Sequence, residues 1–277
     1  MSLLVFRPCA RKALHSGITV LALLLIRPSI FGRNHSGLPG PARSGLSAGS
    51  FDVQVSGPRT ASPATVTLQE LQHIVPSKAW KEMEKAEAAR LRNRTDDAIR
   101  HYGQAISLDP EFVAARNNLA VVYLIIRRPD AAVAQLEAAI KADPNRSVLF
   151  TNLALGYILI HRDDAAERAA REAADLDRID SLPRLLVGLA LTAQRKSPVE
   201  ALQYFEEASR TYTEAHLHAA RILMTEGQLK RAKSEIQTYL SSAEDKHNRA
   251  VASHWLDLID QNEQKGVTSL ELPPTRD

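Results

Sequence analysis

VAARNNLAVVYLIIRRPDAAVAQLEAAIKADP, residues 113–144, decides how the rest of the chain is read. Displaced by 34 residues, it nearly recurs. Ala98, Ala132 and Ala166 share that spacing, and so do Ala105, Ala139 and Ala173. Leu119 and Leu153, Tyr123 and Tyr157, and Pro110 and Pro144 follow it too. A fixed period in this range marks a solenoid, in which each unit buries its apolar face on its neighbours.

Inside one unit, apolar residues recur at helical spacing in two blocks. Leu119, Tyr123 and Ile126 form the first; Leu136, Ala139 and Ile140 continue the second from Ala132. The break Arg127-Arg128-Pro129-Asp130 has room only for a tight turn between antiparallel helices. Ala120 and Ala154 on the first helix, and Ala132 and Ala166 on the second, leave space for close helix approach. Pro110 and Pro144 end the second helix, because proline lacks a backbone donor and clashes with the preceding turn. Asp109 and Asp143 before them suit the first position of a turn.

These residues resemble the tetratricopeptide repeat, whose unit is a helix–turn–helix. With units starting at Ala79, Val113 and Ser147, the family's small residue at the eighth place is Ala86, Ala120 and Ala154. At the twentieth it is Ala98, Ala132 and Ala166, and at the twenty-seventh Ala105, Ala139 and Ala173. The family's early tryptophan is missing, since the fourth place holds Glu82, Arg116 and Phe150. The third unit has Arg178 where the closing proline would stand. Weaker units follow near 181–212 and 213–246. The resemblance implies an all-α, right-handed α-solenoid of about five repeats near 79–112, 113–146, 147–180, 181–212 and 213–246. Val251, Trp255, Leu258 and Ile259 share one face of a closing helix expected over 247–262. Residues 263–277 are expected to form a flexible tail.

The N-terminal part is of another kind. Residues 1–67 hold seven Lys/Arg and one Asp, so the net charge of +3 belongs to this leader and the remainder is mildly acidic. A nucleic-acid partner is therefore not expected. Arg7, Arg11 and Lys12 precede the apolar run Ile18–Ile26, the pattern of a secretory signal. The run is shorter than the ~20 residues of a spanning helix. Residues 1–31 are read as a signal peptide or signal anchor, with an organelle-targeting leader or a misplaced start codon as alternatives. The expectation is an exported chain in the cell envelope or periplasm, secreted or anchored, with membrane contact only through this segment. Gly, Pro and Ser make up 16 of the 34 residues from 32 to 65, above the ~25–30% of low-complexity sequence. Residues 32–66 are thus expected to be a disordered linker. Thr67 and Glu70 have capping-box spacing ahead of Leu71, Ile74 and Val75, which predicts a short helix ended by Pro76. Cys9 is the only cysteine, so a chain cut after it has no thiol for a disulfide or metal.

No nucleophile elbow, phosphate loop, dinucleotide fingerprint or zinc-protease motif is present, and the chain is expected not to be an enzyme. Neither a cofactor nor a metal is expected. His216 and His218 point to different faces of a helix and are expected at the surface. Asp175, Asp177 and Asp180 lack the glycine and closing glutamate of a calcium loop and fit an acidic turn at a helix end. Ser197-Pro198-Val199-Glu200 has the order of a helix start, with Ser197 as cap.

The resemblance implies a concave groove lined by first-helix residues. Here these are Asn117, Asn118, Val121 and Leu124, then Thr151, Asn152, Leu155 and Ile158, then Leu185 and Leu189. The clamp of lysines and arginine with which some relatives grip a carboxylate is absent: Met83, Glu87 and Val148 occupy its places. An apolar groove with an asparagine track suits an amphipathic helix or an extended segment whose backbone meets Asn118 and Asn152. Equally, the two asparagines would serve simply to bridge neighbouring helices. The expected function is a non-enzymatic adaptor or scaffold for a protein or peptide partner. A regulatory or accessory subunit of a cell-envelope enzyme complex, and a self-associating oligomer, are the alternatives.

Overall fold

The computed structural model describes residues 73–243 and 245–265; the leader, the linker and residues 266–277 lie outside them. Eleven helices and no strand occur among the described residues. In chain order they are α1 (Ser77–Leu91), α2 (Thr95–Leu108), α3 (Val113–Ile125), α4 (Pro129–Ala142), α5 (Ser147–Leu159) and α6 (Asp163–Leu176). Then come α7 (Leu182–Ala193), α8 (Pro198–Ser209), α9 (Glu214–Thr225), α10 (Leu229–Ser242) and α11 (Lys246–Lys265). Each odd-numbered helix from α1 to α9 pairs with the next, and each second helix packs on the first helix of the following pair. First helices also touch directly, α3 with α5 and α5 with α7. The result is a solenoid of five helical hairpins closed by α11.

The alanines explain the close stacking. All nine at the eighth, twentieth and twenty-seventh places of the first three units are completely buried. In the fourth unit Gly188 holds the eighth place, and a Cβ there would stand 2.7 Å from Phe205 Cε1. The Phe205 ring therefore occupies the volume a side chain would need. Successive interfaces form three apolar clusters, the largest running from α3 to α9. In α11, Ala252 and Ile259 are fully buried while Ser253, His254 and Asp257 face solvent. A helix with one apolar and one polar face ends the stack.

The turn inside every unit has one design. The residue after the C-cap has positive φ: Asn93, Arg127, His161, Arg195 and Gly227. The next amide reaches back six residues inclusive, as in Arg94 N to Ala89 O at 2.9 Å and Arg128 N to Tyr123 O at 2.8 Å. Arg162, Lys196 and Gln228 repeat this bond to Tyr157, Leu191 and Leu223. This is the Schellman motif, which satisfies the last carbonyls of a helix. In the fifth unit Gly227 supplies this turn, with φ of 70°.

Three local expectations differ from what is found. Residues 73–76 are irregular rather than helical, since a residue before proline disfavours the α region and Asp109 holds the His73 ring at 2.7–2.8 Å. Residues 67–72 of that proposed helix lie outside the described residues. Ser197 is the N-cap residue of α8 but has φ of 36° and no capping side-chain bond, while Glu200 instead binds Arg171 at 2.7 Å. The final helix reaches Lys265, beyond residue 262. The acidic turn after α6 is as expected: Asp177 accepts from the amides of Ile179 and Asp180, and Asp180 accepts from that of Leu182.

Candidate functional site

The ten residues expected to line the groove sit on α3, α5 and α7, side by side on one face of the solenoid. Asn117 and Asn118 are half-buried. The other eight are buried, none above 4% exposed. Val121, Leu124, Leu155, Ile158, Leu185 and Leu189 all belong to the largest apolar cluster. The face is therefore not an open apolar trough. Among the ten, the residues that solvent reaches, Asn117 and Asn118, are polar and belong to the second unit.

That polar part is a continuous ladder across three units. Glu87, on α1, accepts from Arg90 Nη2 at 2.7 Å, from the Tyr102 hydroxyl, and from Asn118 Nδ2 at 2.8 Å. Asn117 Nδ2 donates to Asn118 Oδ1 at 3.2 Å, and Asn152 Nδ2 donates to Asn117 Oδ1 at 2.9 Å. The ladder ends at Asn152 Oδ1, which is buried and accepts no hydrogen bond. Leaving such a group unpaired costs about 1–3 kcal/mol. Burial, reinforced by the hydrogen bond to Glu87, pushes the Tyr102 hydroxyl far above its usual range, so it remains a donor. Asn118 and Asn152 do bridge neighbouring first helices, with Asn117 as the link.

A second set of contacts was not legible from spacing. The fourth and twenty-third places of a unit meet across its helix pair. His101 Nδ1 lies 2.7 Å from Glu82 Oε2, Arg116 Nη1 donates to Gln135 at 2.9 Å, and His216 Nδ1 lies 2.6 Å from Glu235 Oε2. Hydrogen bonds from Lys85 and then His101 hold the Glu82 carboxyl below its usual range. In the third unit the places hold Phe150 and Ala169, an apolar version. His216 is thus tied to a partner, and His218 is not at the surface. Its ring is 9% exposed and stacks on Phe205 with centroids 5.3 Å apart. The residue facing it belongs to the previous unit, which no single-helix reading supplies.

Behind the face, α6, α7 and α8 border a cleft of about 300 Å³ lined by Asp175, Arg178, Arg184, Gln203, Tyr204 and Glu207, among others. Arg171 beside it lies over the Tyr204 ring at 5.4 Å and binds Glu200 and Glu167 at 2.7 and 2.9 Å. Arg184 is likewise used up by Glu207 and two backbone carbonyls. Arg171 and Arg184 are thus paired with Glu167, Glu200 and Glu207. Among the described residues no group of three or more His, Cys, Asp or Glu could hold a metal ion. No helix among them is long and apolar enough to cross a membrane.

Two segments, residues 83–147 and 192–253, match family models described as tetratricopeptide repeat. The chain carries tetratricopeptide repeats. No curated protein sequence matches it significantly. Solved structures of similar fold include pilF of Pseudomonas aeruginosa, with TM-score 0.57 and 19% identity over 67% of this chain and 86% of that one. YrrB, described as a TPR protein with an unusual peptide-binding site, has TM-score 0.55 and 19% identity over 64% and 90%. MamA from residue 41 onward, of Desulfovibrio magneticus RS-1, has TM-score 0.57 and 13% identity over 61% and 96%. At these identities the likeness is one of fold. The tetratricopeptide units of this chain keep the small residues that set helix spacing, and in the first, second and fifth units polar struts stand at the fourth-place tryptophan position.

Proposed function

We propose that this tetratricopeptide-repeat chain is an interaction scaffold that binds a segment of another polypeptide along the concave side of α1, α3 and α5. The observation that carries the reading is the ladder from Glu87 through Asn118 and Asn117 to Asn152, which presents fixed amide and carboxylate groups at a half-open surface. Such groups can meet the backbone amides of an extended segment. YrrB, of similar fold, is a protein described as having a peptide-binding site. The leader composition supports placing the chain in an envelope or secretory compartment, attached or released through residues 1–31. An accessory role in an envelope enzyme complex is the same scaffold with an enzyme as its partner.

The test uses Asn117→Ala/Asn118→Ala, both half-buried positions whose replacement leaves the apolar cluster intact. Proteins retained from an envelope extract by the unaltered chain should be lost or weakened at least tenfold with the variant. Retention of the same proteins at the same strength would reject the concave face as the binding surface.

A further inference from the structure

Helix α9 is packed on two sides and open on a third. Ala215, Ala219 and Ile222 join the apolar cluster shared with α7 and α8, and His218 stacks on Phe205 of α8. Leu217, Ala220, Leu223 and Met224 join the cluster shared with α10 and α11. At 3.6 residues per turn, the strip left between these two sets holds Glu214, Arg221 and Thr225. It lies opposite His216, which is bonded to Glu235 of α10. The strip therefore looks away from the second helices, to the side on which α3 carries Asn118.

Arg221 on that strip is half-buried and has no acceptor among the described residues. The other half-buried arginines among them all have one. Arg90 meets Glu87, Arg116 meets Gln135 and Pro110 O, Arg171 and Arg184 meet glutamates, and Arg249 meets two carbonyls. Burial, with no acidic group to offset it, holds the Arg221 guanidinium below its usual range. Glu214 stands two turns away, about 10 Å along the helix, too far to pair with it. One turn back, His218 is 9% exposed, and neither ring nitrogen bonds to a described residue. Neither nitrogen is sealed from solvent: the sealed, partnerless side-chain atoms among the described residues are Asn152 Oδ1 and Tyr239 Oη. A partly desolvated cation without a counter-charge costs stability and returns none inside the fold.

We infer that Arg221 and His218 form a subsite for a side-chain carboxylate, an Asp or Glu within the polypeptide segment held on the concave face. The inference rests on the proposed use of that face and adds the chemistry of the partner. The planar guanidinium takes both carboxylate oxygens through parallel N–H bonds. The imidazole, kept neutral by burial, donates one more. Helix α11 continues the stack beyond α9, so a bound segment has further surface past Arg221 and need not end there. From α3 to α9 is three steps of 8–10 Å, about 24–30 Å, which an extended segment covers in about eight residues. The partner is thus marked by an acidic residue about eight positions from the part that meets Asn118.

Pools of nonapeptides, random in Ala, Ser and Thr, acetylated, amidated and carrying one Glu near an end, test this on the full chain. They should bind the unaltered chain at least tenfold more tightly than matched pools with Gln in that place. Arg221→Met should abolish the preference, and Arg221→Lys should keep part of it. His218→Phe, which keeps a ring against Phe205, should reduce it about threefold. Arg221→Met should melt at or above the temperature of the unaltered chain; a lower value would show that the guanidinium already has a partner and would overturn the inference. So would equal affinity for the two pools, or a preference unchanged in Arg221→Met. Gln pools with a free terminal carboxylate that bind as tightly as the Glu pools would overturn it too, by assigning the site to a chain end. If the pools bind alike while extract proteins are retained in an Asn117/Asn118-dependent way, this inference falls and the proposed function stands. A Glu preference that persists in Asn117→Ala/Asn118→Ala, with retention unchanged, supports the subsite and rejects the ladder.

Discussion

His218 shows how one residue couples the stack to pH. Burial, with a smaller contribution from the nearby Arg221 guanidinium, pushes its pKa down to about 3. The folded state therefore holds the ring neutral, whereas the unfolded chain takes up a proton below about 6.5. Its neutral form supports stability above that value, and the contribution is lost as pH falls from about 6.5 toward 3. The slope approaches 1.4 kcal/mol per pH unit. Thermal melts at pH 7 and pH 5 should show a drop that His218→Leu reduces; an undiminished drop in the variant would place the acid sensitivity elsewhere. Spacing puts His218 on a face of α9, but Phe205 comes from the unit before, so its burial was not readable from its own helix. Residues at the fourth and twenty-third places are similar cases. Glu82 and His101 look like unrelated surface positions until the helix pair brings them to 2.7 Å.

At the scale of the element, the sequence states the helices well and their closures less so. Two apolar blocks and a polar break predict a hairpin, and small residues predict its tight packing; both follow from side-chain size and period alone. The Schellman turns depend on backbone geometry that Asn93, Arg127, His161 and Arg195 do not announce, because glycine is the usual occupant. A non-glycine residue in this conformation costs roughly 1 kcal/mol. Arg127→Gly should therefore raise stability by about 0.5 kcal/mol after the greater freedom of glycine in the unfolded chain is set against that strain. A loss on chemical denaturation would mean that the arginine side chain contributes more than its conformation costs. The helical glycines give a contrasting pair. Gly103 has open space where a Cβ would go, so Gly103→Ala should stabilise by about 0.5–1 kcal/mol. Gly188→Ala meets the buried Phe205 ring and should destabilise by about 1–3 kcal/mol despite its better helix propensity. Equal responses at the two sites would contradict the packing described.

For the whole molecule, stability is a sum over neighbouring hairpins, and disturbance stays local. Ile259 is fully buried in the cluster that joins the fifth unit to α11. Ile259→Asp should raise hydrogen exchange in α9, α10 and α11 and leave α3 to α6 protected; a uniform loss of protection would indicate one cooperative body instead. The solenoid and its cap were legible because a repeated pattern states its architecture many times over. The accessibility of the concave face was not. Leu155 and Leu189 stand at groove positions of the repeat, yet their exposure depends on how adjacent first helices interlock and on what lies over them.

The central claim is that partners are held on the first-helix face. A photoreactive side chain placed at Asn118, and in a parallel chain at the exposed Gln203 of the second-helix side, measures this directly in living cells. The account predicts partner adducts from position 118 and none from 203. Adducts from position 203 alone would contradict it.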